Sequence, residues 1–171
     1  MVATAAAVVV WSALAGCAGS VADTGAGGST GTGGSGGSPC VPSGPTTTDA
    51  GIAASFDTVK LVLGGGGAIT PCASAPCHAV GGMAPPPPEK PLTLQNNADL
   101  YTNMMSYVSV QCGNIKLIEP GKPDQSALIK ILSGPCGNAP RMPYQCTTDA
   151  CIPDDYIAAL SQWIANCAPE Q

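Results

Sequence analysis

Nine cysteines in a chain of 171 residues constrain this sequence more than any other feature. Thiols at that density have little use in a reducing cytosol and much use where they can be oxidised. The count alone therefore points to the cell envelope. Charged residues make up 10% of the chain, and the net charge is −5 with no basic stripe; this argues against nucleic acid as a partner. Aromatic residues are 4% of the chain. With Trp11 close to the N-terminus, a folded part is left with one Trp, Trp163, and one Phe, Phe56, beside tyrosines at 101, 107, 144 and 156. Its core must be filled by aliphatic side chains, or by something other than protein.

Residues 5–14, AAAVVVWSAL, form an apolar run too short to span a bilayer. The run has the length of a signal-peptide core. It ends in Leu14-Ala15-Gly16-Cys17, which resembles the lipobox of bacterial lipoproteins and implies a lipid on Cys17. From Ala18 to Ser38 the chain is mostly Gly, Ser and Thr without apolar periodicity. Such a stretch is expected to stay disordered and to act as a tether reaching about 25 Å. Ala18, rather than Asp, follows the cysteine and leans toward the outer membrane. The expected organisation is a signal peptide at 1–16, a lipidated cysteine and linker at 17–39, and a folded domain at 40–171. Its expected place is the envelope, lipid-anchored, facing the periplasm or the exterior.

Four helices are expected in the folded part. Ile52, Phe56, Val59 and Leu63 recur at helical spacing and predict a helix over 52–63, stopped by the glycines from Gly64. Leu100, Met104 and Val108 predict a second over 97–108, and Leu128, Ile129 and Leu132 a third over 124–133. Pro153, Asp154 and Asp155 suit a helix start. Tyr156, Leu160, Trp163, Ile164 and Cys167 then form the buried stripe of a fourth helix over 153–167. No segment alternates as a strand does, and Pro85 to Pro88 must be extended. The expected fold class is all-α.

Chemistry concentrates at Cys72-Ala73-Ser74-Ala75-Pro76-Cys77-His78. The single histidine of the chain directly follows a cysteine. Cys-x-x-Cys-His is the common attachment motif of c-type haem; here four residues, not two, separate the cysteines. Two thiols must reach the two vinyl groups of haem while the imidazole reaches iron. Cys77 and His78 fix that local geometry, and Cys72 can arrive by a longer loop. A ligand for the other face of the iron must come from Met83, Met104, Met105 or Met142. Met104 and Met105 fall on a predicted helix and read as core. Met142, in the loop Ala139-Pro140-Arg141-Met142-Pro143, is the preferred candidate.

The order of these features resembles the cytochrome c-like domains of exported bacterial lipoproteins. It comprises a helix, Cys77-His78, a central helix, the run Pro120-Gly121-Lys122-Pro123-Asp124-Gln125-Ser126-Ala127-Leu128, then Met142-Pro143 and a terminal helix bearing Trp163-Ile164. The resemblance covers about residues 52–168. It implies haem c attached at Cys72 and Cys77, iron bound by His78 and Met142, electron transfer with a redox partner protein in the envelope, and a small helical domain with long loops and disulfides. A haem-free module stapled by disulfides, serving binding or scaffolding, is the alternative. Zinc held by three cysteines and His78, and peroxide chemistry at an iron lacking Met142, stay open. Blue copper needs a second histidine, and with the one histidine already claimed no hydrolase triad can be named. Cysteines 40, 112, 136, 146, 151 and 167 remain. They allow 15 pairings, among which sequence does not choose. The pairing 112–136, 146–151 and 40–167 is taken as a guess. Parity does not decide, since 72–77 could form a fourth bridge.

Overall fold

Helix α1 (Phe56–Leu63) starts where the Ser55 hydroxyl accepts the Thr58 amide, and Asp57 sits in its first turn. Both features favour the positive end of a helix. The computed structural model describes residues 40–42, 44–64, 72–73, 77–85, 89–146 and 151–170. All belong to the unit Ser38–Gln171. The expected signal peptide, lipidated Cys17 and tether, and most of the run Pro85 to Pro88, lie outside the described residues. Ahead of α1, Ile52 and Ala53 belong to a tight turn closed by the Thr47–Ala53 bridge, with Gly51 at φ 78°. The expected start at 52 is therefore four residues early.

Helix α2 (Leu100–Ser106) is shorter than expected at both ends. Tyr107 is extended, and the chain enters strand β1 (Val108–Ser109), which pairs antiparallel with β2 (Ile115–Lys116). Val108 faces Lys116 and Ser109 faces Ile115. A 3-10 turn, Pro123–Gln125, leads into α3 (Ala127–Ser133), and α4 (Asp154–Ala165) closes the domain. The all-α expectation is thus overturned. Among the described residues about 33% are helical and 7% lie in strand or bridge pairing. The reversal at Gly113 (φ 86°) and Asn114 (φ 60°) turns the chain back on itself. Gly-Asn is a hairpin signal, and the β-branched Val108 goes with it rather than with α2. Strands of two residues are too short to display alternation.

The core joins α1, α2 and α4. Trp163 is fully buried and stacks on Phe56, with centroids 5.9 Å apart at 26°. Tyr101 meets Phe56 edge-on at 5.3 Å. Each polar handle is satisfied: Trp163 Nε1 donates to the Pro169 carbonyl at 2.8 Å, and the Tyr101 hydroxyl donates to the Ala168 carbonyl at 2.9 Å. Aliphatic residues complete the cluster, with Val59, Val62, Leu100, Met104, Ile118, Leu160 and Ile164 all at 0% exposure. Ser126, also fully buried, accepts the Glu119 amide and donates to the Lys122 carbonyl, which fixes the entry to α3.

Three disulfides staple the domain: Cys40–Cys167, Cys112–Cys136 and Cys146–Cys151. They are the three guessed from sequence. Their separations are 127, 24 and 5 residues. Chain entropy alone assigns them about 5, 3.5 and 2 kcal/mol in that order. Gly121, at φ 78°, lies against the first bridge, and a Cβ there would sit 2.8 Å from Cys40 Sγ. Its amide donates to the Ile164 carbonyl at 2.8 Å.

Two expectations follow for stability. Trp163→Ala lowers the unfolding free energy by about 3–5 kcal/mol, measured by urea unfolding followed by circular dichroism. Gly121→Ala costs about 1–3 kcal/mol, because any side chain at that backbone conformation is strained. It also leaves Cys40 and Cys167 more open to alkylation; a stability equal to the parent's would refute the close approach.

Candidate functional site

Cys77 and His78 are laced by backbone hydrogen bonds to the extended segment that leads into α2. The Leu94 amide donates to the His78 carbonyl at 2.9 Å, and the Leu92 amide donates to the Ala84 carbonyl at 3.1 Å. The Ala84 amide in turn reaches the Cys77 carbonyl at 3.4 Å. The His78 amide donates to the Cys72 carbonyl at 3.2 Å, so Cys72 is brought to the same turn. A Cβ at Gly82 would collide with the Cys77 carbonyl, so a residue without a side chain lets the loop close there.

Two main-chain carbonyls face the imidazole, those of Leu92 and Ala84. His78 Nδ1 lies 2.9 Å from the Leu92 carbonyl. A carbonyl only accepts, so Nδ1 carries a hydrogen toward Leu92. Burial lowers the His78 pKa from its ordinary value, against the opposing pull of the Leu92 and Ala84 carbonyls. The neutral ring, the form that binds metals, is the favoured one.

The segment that holds His78 is anchored by a buried carboxylate. Glu89, 4% exposed, accepts the Tyr107 hydroxyl at 2.8 Å and the Gln111 amide at 3.0 Å. The Tyr107 proton is shared with the Lys90 carbonyl, also at 2.8 Å. Glu89 thereby ties the start of the segment to β1 and its turn. Sequence reasoning missed Glu89, Tyr107 and Leu92. A carbonyl acceptor has no side-chain signature, and a single acid between prolines gives no periodic cue.

Of the expected site residues, Cys72, Cys77 and His78 share one backbone turn, without their side chains converging as a metal-holding group. Cys72 and Cys77 lie outside the three disulfides, and Cys77 is exposed. Met142 arrives separately, on the loop between α3 and α4, where its amide donates to the Ile131 carbonyl at 2.7 Å. Cys72 and Met142 are both half-buried against the same hydrophobic core. Among the other methionines, Met104 is fully buried in that core and Met83 is 76% exposed. Cys17 lies outside the described residues.

Among the described residues no group of three or more His, Cys, Asp or Glu side chains could hold a metal ion. A groove of about 540 Å3 runs between Lys90–Thr93 and Asn103–Val110, and one of about 390 Å3 between Asn114 and Lys130. Neither is lined by Cys72, Cys77, His78 or Met142, although the first is bounded by Leu92. No helix among the described residues is long and apolar enough to cross a membrane. No family model, curated protein or solved structure matches this chain.

The Tyr107 pKa is driven far up, by burial first and then by its bond to Glu89 and that carboxylate's charge. A phenol whose folded pKa is raised stabilises the fold below the unfolded pKa, ordinarily 10.0. That contribution is lost as pH rises above it. Tyr107→Phe is expected to cost about 1.5–3 kcal/mol at neutral pH, as a bond to a charged partner is lost. It is also expected to flatten the fall in stability above pH 10, read from urea midpoints at a series of pH values. An unchanged alkaline slope would remove Tyr107 from that role.

Proposed function

We propose that this chain is a haem-carrying electron-transfer protein of the cell envelope, held to the membrane by a lipid on Cys17. The observation that carries the reading is the placement of His78, directly after Cys77 and with its Nδ1–H donated to the Leu92 carbonyl. That is how proteins commonly present histidine to a metal. Met142 supplies a thioether from a second element that reaches the same core. The resemblance of the motif order to cytochrome c domains of exported lipoproteins supports the assignment, with Cys72 and Cys77 as the covalent anchors.

Haem, when bound, would supply a one-electron couple at its iron. The residues that would hold it are Cys72, Cys77, His78 and Met142. Leu92 fixes the orientation of the His78 ring. Glu89 and Tyr107 fix Leu92 in turn, by holding its segment against β1. No general acid or base is required, and the redox partner is another envelope protein.

A haem-free stapled module for binding or scaffolding is the rival reading. It is favoured by a core that side chains fill unaided, with Trp163 at 0% exposure, and by the three bridges. One measurement divides the two. Full chain purified after export is expected to show a Soret band that survives acid–acetone extraction. His78→Ala is expected to abolish the pigment. Met142→Ala should keep it while lowering the reduction potential and opening iron to cyanide. Colourless wild-type protein would end the haem reading and leave the module.

A further inference from the structure

The segment from Lys90 to Asn96 spends every second amide on one side. Leu92, Leu94 and Asn96 donate in turn to the carbonyls of Ala84, His78 and Gly64. Leu92 and Leu94 are also the residues whose side chains enter the core, at 7% and 5% exposure. In an extended chain the residues between them present their main-chain groups to the opposite edge. Thr93 is the middle one. Among the described residues its amide and carbonyl make no hydrogen bond. Thr93 lines the groove of about 540 Å3, whose far wall holds Val108 and Val110, each 44% exposed. Lys90 is the one charged residue on that lining, in a chain whose net charge is −5. An unpaired strand edge, an apolar wall and a lone cation therefore share one concave site.

We infer that this groove takes an extended segment of a partner protein, added as a strand along Thr93. Strand addition draws affinity from main-chain hydrogen bonds and specificity from alternate side chains. The Thr93 amide donates to the incoming chain and its carbonyl accepts from it. Aliphatic side chains of the segment lie on Val108 and Val110, and a carboxylate meets Lys90. Two other occupants fit less well. A second copy would offer the same edge, which is itself a wall of the groove and cannot also fill it. The chain's own residues 18–38 have Val21 as their one aliphatic side chain larger than Ala, so they give the two valines little to bury. Cys72, Cys77, His78 and Met142 do not line the groove, and the inference stands apart from the haem reading.

The test titrates the full chain with a capped peptide, Thr-Val-Thr-Val-Thr-Asp, and reads amide resonances by nuclear magnetic resonance. Shifts are expected at Thr93, Val108 and Val110, with a Kd on the order of 0.1 mM. At a probe concentration of about ten times Kd, hydrogen exchange at the Thr93 amide is expected to slow about tenfold, because only the unbound fraction exchanges. Thr93→Pro removes a donor that the fold leaves unpaired, and proline is tolerated on a strand edge; it is expected to weaken binding about tenfold, the effect of one lost hydrogen bond. Val108→Asp is expected to weaken binding similarly, and a probe ending in Lys instead of Asp to bind more weakly than the first. Val41→Asp, at a side chain 74% exposed and off the groove, should bind as the parent does. A probe N-methylated at alternate amides repeats the backbone test without altering the protein. No shift at the three residues in millimolar probe overturns the inference. Equal affinity for the N-methylated probe overturns strand addition. A parent that dimerises with Thr93 protected, and that Thr93→Pro makes monomeric, gives the edge to a second copy and overturns the partner segment. Each outcome reads the same in pigmented and colourless protein, so failure of the haem reading is scored separately.

Discussion

Everything in this domain leans on the contact between α1 and α4, where Trp163 lies on Phe56. Two helices of eight and twelve residues are too short to be stable alone. Burial of one large ring against another supplies both area and a preferred geometry, and stacked pairs add about 0.5–1.5 kcal/mol beyond area. Tyr101 brings α2 into the same contact. Because the polar atoms of Trp163 and Tyr101 both bond carbonyls just beyond α4, at Pro169 and Ala168, the same rings also fix how the chain leaves the helix. A core poor in aromatic residues is thereby organised around the few it has.

Helical spacing located α1 to α4 because each keeps an apolar stripe long enough to read. Their ends were less legible, and for separate reasons. Residues 52–54 carry apolar side chains but are used in a turn, where the Thr48 hydroxyl accepts the Ile52 amide. Val108 continues the stripe of α2 in sequence yet belongs to β1, because Gly113 and Asn114 reverse the chain five residues later. The all-α expectation failed at that reversal, where local turn chemistry outweighed periodicity. The disulfides were a guess among fifteen pairings, and nothing in composition required the pairing found.

At the site, the titratable and sulfur-bearing residues were visible in the sequence, since Cys72, Cys77, His78 and Met142 are uncommon residue types in telling company. What orients them was not. A histidine is aimed by a main-chain carbonyl, here that of Leu92, and the carbonyl is placed by buried Glu89, which precedes it on the same segment and bonds Tyr107 and Gln111. Such support is made of backbone groups and one carboxylate whose partners lie 18 and 22 residues away. No linear pattern records contacts at that distance. The site is thus an assembly of a short motif and a long-range brace.

The first bridge has a mechanical consequence. Cys40 is joined to Cys167 at the far end of α4, so residues 41–166 lie inside one covalent ring. A pull arriving along the chain ahead of Cys40 passes through sulfur to the turn that carries Ala168 and Pro169. It does not pass first through the turn at Thr46–Ala54. Load enters where Trp163 and Tyr101 bolt the chain end to the core, so the domain meets tension at its strongest seam.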